Sequence, residues 1–122
     1  MAKLVLGQAP KSFKRKIIID MVDGGKADFE VVFKYKTRNE YAKLIDKVVD
    51  VEETDEKLKS SEVYKLIDEK ACELILEIVE SWDLTDALSK KSVQQLISEF
   101  PQASNKIIDE YRLATLEGRT KN

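Results

Sequence analysis

The chain has 122 residues, of which 43% are hydrophobic and 36% charged, so it is long enough for one folded domain and too apolar for a disordered segment. Its net charge of −2 counts against a free-standing nucleic-acid binder, which is usually basic. With no histidine and one cysteine, the chain lacks the groups for His-based acid–base or nucleophilic catalysis, ordinary zinc sites and an internal disulfide, so neither an enzyme nor a cofactor is expected.

Residues 1–11 are predicted to form a flexible arm, because Gly7 and Pro10 interrupt the segment and no hydrophobic periodicity follows. The apolar run in this arm is too short for a signal peptide. The longest apolar runs elsewhere have three residues, far fewer than the about 20 that span a bilayer. We therefore expect a cytoplasmic protein without a membrane partner, and the lone cysteine fits a reducing compartment.

A β-hairpin is predicted for residues 12–36, where two alternating runs rich in β-branched and aromatic residues flank the turn signal Asp23-Gly24-Gly25. Because both apolar sets fall on odd numbers, the loop must have an odd length. We expect three loop residues, with Gly25 in the left-handed conformation. An isolated hairpin is marginally stable, so its apolar face must pack on the rest of the chain. That face consists of Phe13, Ile17, Ile19, Phe29, Val31, Phe33 and Tyr35.

Helices are predicted for residues 37–118. Thr37 and Glu40 have the spacing of a capping box and begin the first helix. An acidic linker is expected around residues 50–56, and a long helix then extends from about Ser61 to Trp82.

Two shorter helices complete the predicted fold. One begins near Leu88-Ser89, and Pro101 begins the other, since proline suits the first turn of a helix. Gly118 is a fitting stop, and residues 119–122 are expected to fray. The fold class is therefore α+β, a single domain over residues 1–122 with an N-terminal β-hairpin packed on about four helices.

The outer face of the hairpin is a candidate partner-binding surface. Its even-numbered positions combine lysines with two apolar residues, namely Lys14, Lys16, Ile18, Val32, Lys34 and Lys36. Such a face could bind phosphates or an acidic protein surface. Alternatively, the lysines only protect the hairpin against edge-to-edge aggregation. Because a purely protective face would be polar throughout, Ile18 and Val32 favour a partner, and we expect a protein before a nucleic acid.

The long helix carries a second candidate surface. Its apolar stripe includes Val63 and Ile67 and is expected to be buried. Tyr64, Cys72 and Leu76 widen this stripe beyond one face, so a partner or a second copy is expected to cover the additional strip, with Leu76 in the contact. Pairs of glutamates at helical spacing, such as Glu69 and Glu73, are interpreted as a solvated face rather than a metal or acid–base site. Cys72 is interpreted as a packed thiol, since no histidine can activate it.

Four residues are expected to be structural anchors. Trp82 is most simply a core residue where three helices meet, although tryptophan is also favoured at interaction hot spots. The other three anchors are Phe100, Pro101 and Tyr111.

Charge is unevenly distributed along the chain. Residues 1–48 carry a net charge of +5 and residues 49–122 carry −7. The two parts are therefore expected to attract each other or to recruit different partners.

The chain resembles the tail assembly chaperones of tailed bacteriophages and prophages over about residues 12–122. In its N-terminal half, the resemblance rests on a hairpin followed by Phe33, Lys34, Thr37-Arg38, Tyr41 and Leu44. In its C-terminal half, it rests on Trp82, Leu84, Leu88-Ser89, Val93, Leu96-Ile97, Phe100-Pro101, Ala103, Ile107, Tyr111 and Lys121-Asn122.

The resemblance implies a role in assembly. Members of this family bind the long, helix-rich tape-measure protein in the host cytoplasm, keep it soluble, help to recruit tail-tube protein and are absent from the finished virion. Self-association is expected as well. Two alternatives stay open, a nucleic-acid-binding regulator that uses the basic hairpin and a structural component of the virion or tail.

Overall fold

The computed structural model describes residues 3–48 and 60–116 and shows an α+β fold, as predicted. The predicted linker at residues 50–56, the Gly118 stop and the tail at residues 119–122 lie outside the described residues. Three strands and four helices follow in the order β1 (Ser12–Asp20), β2 (Lys26–Lys34), α1 (Arg38–Val48), α2 (Ser60–Ile78), β3 (Val79–Trp82), α3 (Lys90–Glu99) and α4 (Pro101–Thr115). In the described part, no helix is both long and apolar enough to cross a membrane.

The hairpin loop has three residues, but the left-handed glycine is not the predicted one. The Met21 N–H donates to the Gly25 carbonyl at 2.7 Å, which leaves residues 22–24 as the loop. Gly24 has a φ of +95°, so the expectation for Gly25 was wrong. Gly24 takes the left-handed position because the pairing of Met21 with Gly25 makes Gly24 the last residue of the loop, and the Asp23 carboxylate accepts a further 3.0 Å bond from the Gly25 N–H.

The predicted inner face of the hairpin forms one wall of the core. Phe33 is fully buried against Tyr111 of α4, with ring centroids 5.2 Å apart, and Phe13 stacks on the same ring at 5.9 Å. The Tyr111 hydroxyl donates to the Lys34 carbonyl at 3.0 Å and accepts from the Lys36 N–H at 3.1 Å. Tyr111 therefore ties α4 to the end of β2, and burial raises its pKa to about 12.

A third strand replaces the last turn of the predicted long helix. That helix was expected to continue to Trp82, but α2 ends at Ile78 and the following residues pair with β2. Without β3, the outer edge of β2 would present unpaired backbone groups. The ladder contains a bulge, because Val79 pairs with Phe33 and Trp82 with Val31. The extra residue lets both Val79 and Trp82 face the core, although an odd number of positions separates them.

The predicted starts of α1, α3 and α4 are confirmed. Glu40 and Thr37 form the reciprocal bonds of a capping box at 2.9 and 3.2 Å, and these bonds lower the pKa of Glu40. Ser89 caps α3, with its hydroxyl accepting the N–H of Ser92 at 3.1 Å. Pro101 is the first residue of α4, where its missing N–H costs no hydrogen bond.

Candidate protein-binding surfaces

The outer face of the sheet is mixed in charge rather than basic. Ile18 is 52% exposed, as expected. Lys14 lies 3.5 Å from the carboxylate of Glu30, and Lys16 lies 3.8 Å from that of Asp28. Both carboxylates occupy even-numbered positions of β2 and so share this face with the lysines. The lysines are therefore partly neutralised, which disfavours phosphate binding and leaves Ile18 as the apolar feature of the surface.

The remaining predicted members of this face differ in accessibility and position. Val32 is only half-exposed, and its backbone pairs with Ser81 of β3. Lys34 is the exposed last residue of β2, whereas Lys36 is half-buried beyond the end of that strand. The structure thus places Lys14, Lys16, Ile18, Val32 and Lys34 on one face of the hairpin, whereas Lys36 lies beyond its strands.

The strip predicted on the long helix is divided by burial. Cys72 is buried, with its Sγ 3.9 Å from the Lys90 carbonyl oxygen, and burial raises the pKa of its thiol. Leu76 is half-buried against the core, and Tyr64 is largely exposed. The interpretation of Cys72 as a packed thiol is confirmed, since α3 covers that part of α2. The expected uncovered strip is therefore interrupted at Cys72.

The exposed apolar surface of α2 lies instead on its N-terminal half. Val63 and Ile67 precede the buried Leu74 and Ile78 by about three helical turns each, so all four share one face. Yet Val63 is 41% exposed, Ile67 55% and the adjacent Tyr64 68%. We call Val63, Tyr64 and Ile67 the α2 stripe. It continues a core face into a part of α2 that the other described residues leave exposed.

A groove borders the α2 stripe. It has a volume of about 450 Å³ and lies between α2 and α3, with Tyr64 and Asp68 on one wall and Gln94 and Ile97 on the other. Sequence reasoning assigned Val63 and Ile67 to the buried stripe and missed their exposure. Helix length could have indicated this exposure, because α2 has 19 residues and α3 only 10, so α3 cannot cover the whole of α2.

Trp82 lies at the end of β3 and not at a junction of three helices. It is half-buried, and its indole N–H donates to the Asp86 carbonyl at 2.6 Å. Beside it is a groove of about 220 Å³, here called the Trp82 groove, whose apolar walls are Trp82, Leu84, Leu96 and Phe100. Phe100 separates α3 from α4 and is half-buried, so it contributes to both the core and this groove.

A comparison with protein families identifies the chain. The sequence profile of the phage tail assembly chaperone family matches residues 1–122, which is its whole length. The chain belongs to this family. No curated protein and no solved structure matches it. The family resemblance derived from the sequence is thus confirmed, and with it a general role in phage tail assembly through interaction with tail proteins.

The acidic residues of α2 were interpreted from the sequence as a solvated face rather than a metal site. Within residues 3–48 and 60–116, no three Cys, Asp or Glu residues lie close enough to hold a metal ion. Glu77 instead faces Lys47 of α1, with 3.8 Å between the charged atoms. The family assignment favours a role based on binding, and the candidate surfaces of this chaperone are the α2 stripe, the outer sheet face and the Trp82 groove.

Proposed function

We propose that the protein acts in the cytoplasm of the bacterial host, where it binds the tape-measure protein and keeps it soluble. In this proposal, it also helps to recruit tail-tube subunits and is absent from the mature virion. The observation that carries the proposal is the exposed α2 stripe, a core-type helix face that the described residues of the chain leave open.

The shape of this surface suits a helical client. Two helices with a groove between them can receive the apolar face of an amphipathic helix, whose anchors recur at helical spacing. Val63 and Ile67 do not line this groove but form an exposed apolar ridge one turn long on the adjoining face of α2, and Tyr64 belongs to both surfaces. A long, helix-rich client offers many such faces, and burial of each contributes about 25 cal/mol per Å² before ordering costs.

The charged residues at the rim of the groove favour a client helix whose apolar face is flanked by charges. Lys65, Asp68 and Glu69 of α2 line it together with Gln94 of α3. Both signs of charge therefore lie beside its two apolar members, Tyr64 and Ile97. Charges at the rim of an interface mainly set orientation and partner choice. A client helix with charges on both sides of its apolar stripe therefore fits this groove better than an entirely apolar segment.

The structure gives less support to a nucleic-acid-binding regulator. That alternative used the lysines of the hairpin, but Asp28 and Glu30 lie beside Lys16 and Lys14 on the same face. Affinity for nucleic acid depends on uncompensated cations that displace counterions from phosphates.

The proposal is tested by co-expression with the tape-measure protein of the same phage. The wild type should hold the client in the soluble fraction and copurify with it. Ile67→Glu places a charge in the α2 stripe at an exposed position, so the variant should fold normally and leave the client insoluble. Val22→Glu, at the 98% exposed tip of the hairpin, is the matched control and should behave like the wild type. Full client solubility with Ile67→Glu would contradict the proposal.

A further inference from the structure

The N-terminal arm is the most apolar exposed segment of the described chain. Leu4, Val5 and Leu6 are consecutive and are 94%, 51% and 92% exposed. Gly7, with a φ of +83°, turns the chain directly after them, and the Gln8 N–H donates to the Val5 carbonyl at 3.3 Å. Three neighbouring large apolar side chains in water are a liability unless a partner covers them.

The Trp82 groove has the properties of a receptor for such a segment. Its walls combine two aromatic and two leucine side chains that are each only half-buried, namely Trp82, Phe100, Leu84 and Leu96. The bond from the Trp82 indole to the Asp86 carbonyl fixes the ring in place before any partner arrives. Preformed pockets lined by aromatic residues are where interfaces concentrate their binding energy, because little ordering is required.

The charges of the two surfaces are complementary. Lys3 borders the apolar residues of the arm, and the chain has no acidic residue before Asp20. The Trp82 groove is bordered by Asp86 and Glu99, and none of the described residues that line it is basic. This local match follows the division of the whole sequence into a basic first part and an acidic second part. It favours docking of the arm over docking of an acidic segment.

We propose that residues Leu4–Leu6 of one copy of the chain dock into the Trp82 groove of a second copy. Within a single chain, the arm precedes β1 at one edge of the sheet, whereas the groove begins at β3 on the other edge. The arm does not fill the groove of its own chain, since Leu4 and Leu6 are almost fully exposed. A second copy can bring an arm to the groove without crossing the sheet.

This contact is heterologous, because an arm meets a groove and not another arm. Each copy that donates its arm still offers an empty groove, so association continues from one copy to the next. The result is a chain of copies and not a closed dimer. Such an array suits a long client, because each added copy brings another client-binding surface. The inference stands apart from the proposed function, since the α2 stripe takes no part in it.

Sedimentation velocity over a range of concentrations tests the inference, with the fluorescence of Trp82 as a second readout. Trp82 is the only tryptophan, so its emission reports directly on the groove. The wild type should form species larger than a dimer, with a blue shift of the emission as concentration rises. Leu4→Asp combined with Leu6→Asp should raise the concentration needed for association by about thirtyfold, as for the loss of a buried anchor. Val22→Asp, at the exposed hairpin tip, should associate like the wild type.

A mixing experiment identifies the head-to-tail geometry. Asp86→Lys combined with Glu99→Lys damages the groove at exposed positions and leaves the arm intact. At concentrations where the wild type associates, neither this variant nor the arm variant should associate alone, but an equimolar mixture should form a dimer that grows no further. Two outcomes would overturn the inference: association of the arm variant at wild-type concentrations, or a change of Trp82 emission on arm substitution where the wild type is monomeric, which would place the arm in the groove of its own chain.

Discussion

Asp83 bonds in both directions to the backbone of Glu30, a residue 53 positions earlier in the chain. Its carboxylate accepts the Glu30 N–H at 2.8 Å, and its own N–H donates to the Glu30 carbonyl at 3.1 Å. These two bonds extend the β2–β3 ladder by one step beyond Trp82. They also fix the start of the loop that carries Leu84 and Asp86, and thereby attach one wall of the Trp82 groove to the hairpin.

Replacement of Asp83 by alanine should destabilise the protein by about 1 kcal/mol, because a charged acceptor and its bond to the Glu30 amide are lost at an exposed site. Urea denaturation measures this change. Asp86→Ala is the matched control, since Asp86 holds the Trp82 indole through its backbone carbonyl, and it should cost less than about 0.5 kcal/mol. Equal losses for the two variants would show that the Asp83 carboxylate is not important for β3.

Removal of the Tyr111 hydroxyl should cost about 1–2 kcal/mol near neutral pH, since the Lys36 N–H and the Lys34 carbonyl both lose a partner. The loss should shrink in alkali. The pKa of Tyr111 is raised from 10.0 to about 12 in the folded state. Its contribution is therefore fully present below about pH 10 and is lost as the pH rises through about 12, because the unfolded tyrosine releases its proton first.

Urea denaturation of the wild type and Tyr111→Phe from about pH 8 to about pH 11 measures this difference. Ionisations common to both proteins cancel in the comparison. The stability difference should decrease by up to about 1.4 kcal/mol per pH unit above about pH 10. A difference that stays constant with pH would contradict the assigned role of the hydroxyl.

Substitutions of Ile18 distinguish a protein partner from a nucleic acid on the outer sheet face. Ile18→Glu and Ile18→Lys should both leave the fold intact, because the side chain is 52% exposed. If Ile18 is an apolar anchor, both should weaken binding to a tail partner by about 1–3 kcal/mol. Isothermal titration calorimetry measures this effect. Stronger binding of DNA by Ile18→Lys would instead favour the nucleic-acid alternative, and unfolding of both variants would show that this face is core.

Trp82→Ala should cost about 2–3 kcal/mol, below the about 3–5 kcal/mol of a fully buried aromatic residue, because Trp82 is half-buried beside its groove. Thermal denaturation followed by circular dichroism measures the loss. Trp82→Phe keeps the ring but cannot donate to Asp86, and we expect it to recover more than half of the stability. An unchanged melting temperature for Trp82→Ala would assign the residue to binding alone.

The elements with local signals were predicted well from the sequence. The odd length of the hairpin loop follows from the alternation of apolar residues alone, and the observed pairing of Asp20 with Lys26 agrees with it. The capping box at Thr37 and the break at Pro101 are also local, and both are present. Turn glycines are different, since Gly24 and Gly25 are adjacent and the choice between them depends on the pairing of Met21.

Features that depend on distant contacts were missed. Val79 and Trp82 continue the apolar spacing of α2, so nothing local separates β3 from the helix, and the strand exists because the edge of β2 pairs with it. The exposure of the α2 stripe likewise depends on how far α3 reaches along α2. Asp28 and Glu30 occupy even-numbered positions of β2, so alternation alone places their carboxylates on the outer face beside the lysines. Counting only the lysines made that face look basic.

Hydrogen–deuterium exchange of the protein with and without its tape-measure client tests the central claim most directly, because it locates the contact without a substitution. Binding of a client helix to the α2 stripe and its groove should slow exchange in peptides from the first half of α2 and from the part of α3 around Gln94 and Ile97. The hairpin tip around Val22 should exchange at the same rate in both samples. Protection confined to β1 and β2, with unchanged exchange in α2 and α3, would contradict the account.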